Sequence, residues 1–356
     1  MSATHASRLT SHASRLTIHV PIPYICSSIF QMKKKVALVT GGLSGEAQIS
    51  YKSAITVGNN VDRDKYDLYR IDINPEGWWY EPEQGERSKV DRDDFSVTDK
   101  GSKIRFDVIL LCIHGTPGED GKLQGYFDML KIPYTSCDAA TSALTFNKRY
   151  TVAVAAFGGI NVASSMHIFR HTPVTPDEIL AKLSLPVFVK PNNGGSSIGM
   201  SKVSEAGALA AALEKAFKED DQILVEEFIS GREFTIGVFR DKNGITVLPI
   251  TEIITKNEFF DFEAKYQGKS EEITPAKIDA RMQQQLEAAA TRAYELLNCR
   301  GVVRIDFIYN TDSGKPYMLE VNTVPGQSEA SVIPQQVKAM GRTLKEFYSA
   351  VIEQAL

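Results

Sequence analysis

The sequence has 356 residues, 43% hydrophobic and 24% charged, enough for two or three domains with an ample core. Its 40 basic residues against 44 acidic ones leave a net charge of −4, which gives no support to nucleic-acid binding, and no apolar run reaches the length of a membrane span. The four cysteines, Cys26, Cys112, Cys137 and Cys299, share no close spacing, so neither a zinc site nor a disulfide framework is indicated and a reducing cytoplasm fits.

Residues 1–31 differ from the rest. His5-Ala-Ser-Arg-Leu-Thr10 recurs as His12-Ala-Ser-Arg-Leu-Thr17, the segment holds no acidic residue, and Pro21 and Pro23 break its apolar part. A transit peptide has a similar composition. A translated upstream stretch, with the working start at Met32, is the plainer reading. The segment is expected to be disordered and outside the fold.

From Met32 the chain reads as an open α/β sheet. Val36–Thr40 is a buried-strand run, followed by the glycine loop Gly41-Gly-Leu-Ser-Gly-Glu46 and a helix through Ile49–Val57. The full Gly-x-Gly-x-x-Gly spacing is missing, so dinucleotide binding is weakly indicated. A second buried strand, Asp107–Ile113, ends in His114-Gly-Thr-Pro-Gly118-Glu-Asp-Gly121. Glu46 and His114 thus sit beyond the carboxyl ends of strands, where ligands bind in such sheets. Each taken alone reads as a cap or a loop hydrogen-bonder. Leu123–Leu130 is a helix, and Ile132-Pro133 leads out of the domain.

Next come an alanine-rich helix from about Lys148 to Phe157, a strand over Leu185–Pro191, and the small-residue loop Asn192–Met200. Such a loop can close over phosphates, because its backbone N–H groups are accessible and its side chains small. It is not a Walker sequence, and a mobile hairpin is the commoner fate of a Gly/Ser loop. Ser204 is expected to cap a helix through Ala216, with Leu209, Leu213, Ala216 and Phe217 on its inner face. Ile223–Phe239 reads as two strands around a turn at Ser230-Gly231.

After Val247–Ile254 comes the aromatic loop Asn257–Gly268, a lid or binding segment by its length and composition, or else a packed surface loop. Pro275–Leu297 is a helix with Ile278, Leu286, Ala289, Ala293 and Leu296 as its core stripe. Arg300–Tyr309 and Tyr317–Gly326 alternate apolar and polar residues around the turn residues Asn310–Lys315, which predicts a hairpin. Period two puts Arg304 with Asp306, and Glu320 with Asn322, on single strand faces. If those faces coincide, two carboxylates, an amide oxygen and a guanidinium converge, a donor set suited to Mg²⁺. The alternative is a solvated face with one ion pair. A helix closes the chain from Gly341 onward.

Arg304-Ile-Asp306 followed by Leu319-Glu-Val-Asn322-Thr-Val-Pro-Gly326 resembles the metal-binding end of ATP-grasp ligases, the D-alanine–D-alanine ligases in particular. The loops Gly41-Gly-x-Ser-x-Glu46 and His114-Gly-x-x-Gly-Glu-Asp-Gly121 resemble that family's substrate loops. Lys190-Pro-x-x-x-Gly195-Ser-Ser-x-Gly199 resembles its nucleotide lid, and Asp261-Phe-Glu-Ala-Lys-Tyr266 its covering loop. The resemblance runs from Met32 to the end, with the motifs in order.

It implies an α/β, mixed α+β architecture: an ATP-grasp fold with an N-terminal open, Rossmann-like pre-ATP-grasp domain. The expected parts are 32–136, a central subdomain at 137–225 carrying the lid, and a C-terminal subdomain at 226–356. The implied reaction is ATP-dependent joining of two D-alanines through a D-alanyl phosphate, for peptidoglycan precursors. Glu46 would hold the first ammonium, with His114 near the acyl phosphate and Ser331 on the second carboxylate. Lys148 and Lys190 would take the nucleotide's phosphates, and Ser197 and Lys265 would also bind ATP. Glu226, Glu227 and Ile229 would lie by the adenine, and Glu233 on the ribose. Glu227 replaces a lysine found in some members, which a backbone contact would tolerate. Asp306, Glu320 and Asn322 would hold Mg²⁺ or Mn²⁺, as two ions. Arg304 and the Gly326 N–H would stabilise the oxyanion, and Tyr266 would bond Ser196 and link to Glu46. A phenylalanine at the position of Tyr266 marks some depsipeptide-forming members, so the tyrosine favours the dipeptide. The resemblance also implies a cytoplasmic homodimer that works without nucleic acid or membrane. A ligase for another acid and amine, and a non-catalytic nucleotide-binding protein, are the competing readings.

Overall fold

The computed structural model describes Met1, 32–195, 198–255 and 270–356. The chain divides into Met1–Met32 and Lys33–Leu356. In the first part only Met1 and Met32 are described, both exposed; the expected disorder of residues 1–31 lies outside the described residues. All that follows concerns Lys33–Leu356.

Three sheets build this unit. In the first, β1 (Lys34–Gly41) buries Val36, Ala37, Leu38 and Val39 on both faces, as a central parallel strand must. After α1 (Ala47–Asn60) come β2 (Tyr66–Asn74), β3 (Gly77–Glu81), β4 (Ser88–Lys89), the small hairpin β5 (Val97–Asp99) and β6 (Ser102–Ile104), then β7 (Val108–Leu111) and α2 (Lys122–Leu130). The strand order is β4-β3-β2-β1-β7, with β1 parallel to both neighbours. The ends of β1 and β7 therefore deliver the Glu46 and His114 loops to the same edge.

Helices α3 (Ala139–Phe146) and α4 (Lys148–Phe157) lead into the second sheet: β8 (Ser165–Phe169), α5 (Pro176–Leu180), β9 (Val187–Pro191), β10 (Ser201–Val203), α6 (Leu209–Phe217) and β11 (Gln222–Glu227). Its order is β10-β9-β11-β8, antiparallel throughout. Leu209, Leu213 and Ala216 of α6 pack on it, as expected. Ser204 does not cap this helix. A 3₁₀ turn over Ala206–Ala208 intervenes, and Ala208 takes the N-cap position without a side-chain bond. The alanines and Gly207 carry the chain into the helix through the tighter turn, leaving Ser204 outside it.

The third sheet holds β12 (Arg232–Asp241), β13 (Gly244–Val247), β14 (Thr251–Thr255), β15 (Ser270–Ile273), β16 (Val302–Asn310) and β17 (Lys315–Asn322), in the order β15-β14-β12-β16-β17 with β13 also on β12. Helix α7 (Ala280–Leu296) packs against it, and α8 (Val332–Ala339) and α9 (Leu344–Ala355) close the chain. Helix α7 starts at Ala280 rather than Pro275, because Asp279 caps it by accepting the Met282 N–H at 2.8 Å. Its buried stripe is Met282, Leu286, Ala290, Ala293 and Tyr294, with Ala289 and Leu296 half-buried beside it. Tyr294 joins the core because its hydroxyl finds the Gly301 carbonyl at 2.8 Å. Among the described residues no helix is long and apolar enough to cross a membrane.

Candidate active site

The β16–β17 hairpin pairs Arg304 with Asn322 and Asp306 with Glu320. The register then shifts, so that Phe307 pairs with Met318 and Leu319 is the extra residue of a bulge. The two polar faces therefore coincide. Arg304 Nε donates to Asp306 Oδ1 at 3.0 Å and Nη2 to Oδ2 at 2.9 Å, while Nη2 lies 3.8 Å from Glu320 Oε1. Burial alone would lower the Arg304 pKa. Asp306, Glu320 and Glu119 outweigh it and hold the guanidinium firmly charged. Among the described residues the buried Asn322 Nδ2 has no hydrogen-bond partner.

Among the described residues no group of three or more His, Cys, Asp or Glu could hold a metal ion. The hairpin instead offers two carboxylates and the Asn322 amide oxygen, and the Nδ2 of that same amide has no partner among the described residues. Hard oxygen donors that leave positions for water and phosphate fit Mg²⁺ or Mn²⁺.

A cavity of about 400 Å³ opens between the second and third sheets. Lys148, Lys190, Glu226, Glu227, Ile229 and Glu233 all line it, together with Asp306 and Glu320. The Lys190 ammonium pairs with the buried Glu226 carboxylate, and Lys148 Nζ donates to the Gly194 carbonyl at 2.6 Å. Glu227 turns its carboxylate to the Ser164 N–H at 2.8 Å. Its side chain is thus occupied by the chain entering β8. Ser196, Ser197, Lys265 and Tyr266 lie outside the described residues.

A second cavity of about 330 Å³ shares Glu233, Asp306 and Glu320 with the first. Glu46, His114, Arg304, Gly326 and Ser331 line it. Two glycines crowd the Glu46 carboxylate: a Cβ on Gly195 would lie 2.7 Å from Oε1, and one on Gly115 would lie 2.6 Å from Oε2. The small-residue loop thus reaches the N-terminal sheet directly over this acid. Ser331 sits at the N-terminus of α8, where the helix dipole favours anions, and its hydroxyl lies 2.7 Å from that of Ser328.

His114 is buried and both ring nitrogens are engaged. Nδ1 lies 2.6 Å from the Val324 carbonyl and must carry the proton, while Nε2 lies 2.9 Å from Ser53 Oγ and accepts from it. Burial pushes its pKa down to about 4, helped by Arg304 and opposed by Val324. It is a neutral tie between α1 and the turn carrying Gly326.

Sequence reasoning missed two residues of this cavity. Glu119 accepts the Gly115 N–H at 2.7 Å and the Val324 N–H at 3.0 Å, so it bridges the first sheet to the Gly326 turn. Burial first, then the Glu46 charge, push its pKa up to about 8 against the pull of both N–H groups and Arg304. The second is Lys52. With Arg304 it supplies the positive charge among the described lining residues, and unlike the Arg304 guanidinium its ammonium makes no hydrogen bond or ion pair among the described residues. Glu46, Ile49 and Lys52 follow one another at helical spacing on the cavity side of α1, a signal already present in the sequence.

The model of the D-Ala–D-Ala ligase N-terminus matches residues 35–137, and that of the C-terminus matches 149–353. A D-alanine–D-alanine ligase of Parabacteroides distasonis is 44% identical over 325 residues, covering 91% of this chain and 98% of that one. Among solved structures, the VanG D-Ala:D-Ser ligase of Enterococcus faecalis superposes with a TM-score of 0.83 at 32% identity, covering 91% of this chain and all of the other. A D-alanine–D-alanine ligase of Bacillus anthracis complexed with ATP gives a TM-score of 0.72 at 26% identity, covering 90% and 97%.

Proposed function

The chain belongs to the D-alanine–D-alanine ligase family, and from that premise we propose how its residues divide the work. It is an ATP-dependent ligase that joins two D-alanines for peptidoglycan precursors. The observation that carries the division of roles is the meeting of two cavities at Asp306 and Glu320.

The larger cavity takes ATP. Lys148 and Lys190 face its phosphates, the backbone around Glu226–Ile229 faces the adenine, and Glu233 takes the ribose. A carboxylate does not acylate an amine at neutral pH without activation, so the first D-alanine accepts the γ-phosphoryl group across the shared wall. Asp306, Glu320 and Asn322 would hold Mg²⁺ or Mn²⁺, as two ions, which supply charge neutralisation to the transferring group.

In the smaller cavity Glu46 holds the first ammonium. The second amine attacks the acyl phosphate carbonyl, a tetrahedral oxyanion forms, and phosphate leaves as the peptide bond closes. Arg304 and the Gly326 N–H stabilise that oxyanion, each donor accounting for about 3 kcal/mol of barrier. His114 and Glu119 hold the Gly326 turn in place. Ser331, the α8 N-terminus and Lys52 receive the second carboxylate. By family resemblance, Tyr266 and Ser196 complete the site from lid and covering loop, Ser197 and Lys265 add to the ATP contacts, and water is excluded from the acyl phosphate. The same resemblance supports the parts 32–136, 137–225 and 226–356 and a cytoplasmic homodimer.

A second reading changes only the acceptor, since a close structural neighbour is described as a D-Ala:D-Ser ligase. The test is phosphate release from Mg-ATP with D-alanine, D-serine, D-lactate or no addition, with product identified by mass. D-alanine-dependent release with dipeptide supports the reading. Release with another acceptor alone changes the substrate, and ATP binding without release overturns it.

A further inference from the structure

We propose that Thr235 is a positioning residue that assigns one oxygen of Asp306, Oδ2, to the divalent cation. The inference rests on Asp306 being a metal ligand. Thr235 on β12 stands directly opposite Asp306 on β16, and both are buried. Its hydroxyl donates to Asp306 Oδ1 at 2.5 Å, and Arg304 Nε donates to the same oxygen at 3.0 Å. A carboxylate oxygen has two lone pairs, so Oδ1 is filled. Oδ2 receives Arg304 Nη2 at 2.9 Å and keeps one lone pair. That leaves a single orientation in which Asp306 can bind a cation without releasing a donor.

The threonine is itself fixed. A β-branched side chain has few χ1 choices. Its carbonyl accepts from Gln336 Nε2 at 3.0 Å, and the same amide nitrogen donates to Thr251 Oγ1 at 3.0 Å. Gln336 is fully buried in α8, and its Oε1 accepts the Gly237 N–H at 3.0 Å. The helix that begins at Ser331 thus clamps the strand that orients Asp306. Partners of a ligating carboxylate commonly matter to metal affinity almost as much as the ligand does.

The experiment titrates Mn²⁺, followed by the EPR of the free ion, against the full chain with and without saturating ADP. Thr235→Val keeps the shape and removes the hydroxyl; Mn²⁺ binding weakens about 10- to 100-fold. Thr235→Ser keeps the hydroxyl and restores it. Wild-type affinity in the valine variant overturns the proposal, as does equal loss in the serine variant, which would point to packing of the methyl group. Thr235→Ala replaces the valine variant if that one does not fold. Asp306→Asn separates the layers: if it too binds Mn²⁺ normally, the metal reading of Asp306 fails, whereas loss there with a normal valine variant sinks the role of Thr235 alone.

Discussion

Asp306 and Glu320 face each other across β16 and β17, and each lines both cavities. The bulge at Leu319 follows at once and turns the remainder of the hairpin back into ordinary pairing, with Met318 in the core. The carboxylate pair is therefore the one patch of this hairpin that serves two compartments. In the proposed reaction that is where a phosphoryl group passes from one to the other.

Glu320→Gln should lower kcat by about 10²- to 10³-fold or more, the range for losing one electrostatic stabiliser of a transition state. The fold should survive. Glu320 is about one-third exposed, and Arg304 Nη2 lies 3.8 Å from its Oε1, so losing that ion pair should cost under about 1 kcal/mol. Steady-state phosphate release and thermal unfolding check both halves. Near-normal turnover would remove Glu320 from the metal set.

Lys52→Gln should raise the KM for the second D-alanine by about 10- to 100-fold, the worth of a charge-assisted hydrogen bond to a carboxylate. The KM for ATP should not move, because Lys52 lines only the smaller of the two cavities. Varying D-alanine at saturating ATP, then the reverse, separates the two constants. An unchanged second-site KM would leave Ser331 and the helix end to hold that carboxylate without it.

How much of this could be read in advance depends on range. The hairpin and its shared polar face were legible, since period two and the turn Asn310–Lys315 are local signals. The loops bearing Glu46 and His114 were legible as strand ends. Ser204 misled, because a capping residue says nothing of a 3₁₀ turn placed between it and the helix. The expected stripe of α7 was legible, since Leu286 and Ala293 are buried and Ile278, Ala289 and Leu296 pack beside them, but Tyr294 was missed because its hydroxyl depends on a carbonyl seven residues on. The bridging roles of Glu119 and Thr235 depend on partners 205 and 71 residues away, and no local pattern encodes those.

Gly301→Ala should destabilise the chain by about 3 kcal/mol or more, from left-handed strain plus a steric clash. Gly301 has φ of 64°, and a Cβ there would sit 1.9 Å from the Thr135 carbonyl oxygen. The two segments are held together on either side. Arg300 Nε donates to the Ser136 carbonyl at 3.1 Å, and Tyr294 to the Gly301 carbonyl at 2.8 Å. Neither segment can yield cheaply. Urea denaturation measures the loss, and a variant within about 1 kcal/mol of wild type would mean that this crossing relaxes.

The pH dependence of stability should carry two slopes of opposite sign. His114 has its pKa lowered to about 4 in the fold, against about 6.5 unfolded. Between those values the unfolded chain binds the extra proton, so stability falls as pH drops from about 6.5 toward 4, by about 3 kcal/mol in all. Glu119 has its pKa raised to about 8 from an ordinary 4.5. There the folded chain binds the extra proton, so stability falls as pH rises from about 4.5 to 8. Above pH 6.5 the histidine adds no slope, and the Glu119 decline stands alone. Glu119→Gln should flatten the unfolding profile between about pH 6.5 and 8, while His114→Gln should flatten only its acid side. Thermal unfolding of both variants across pH 4 to 8.5 reads this directly. A Glu119→Gln profile parallel to wild type above pH 6.5 would show that Glu119 is already ionised between Glu46 and Arg304, and would leave its two N–H bonds as its whole contribution.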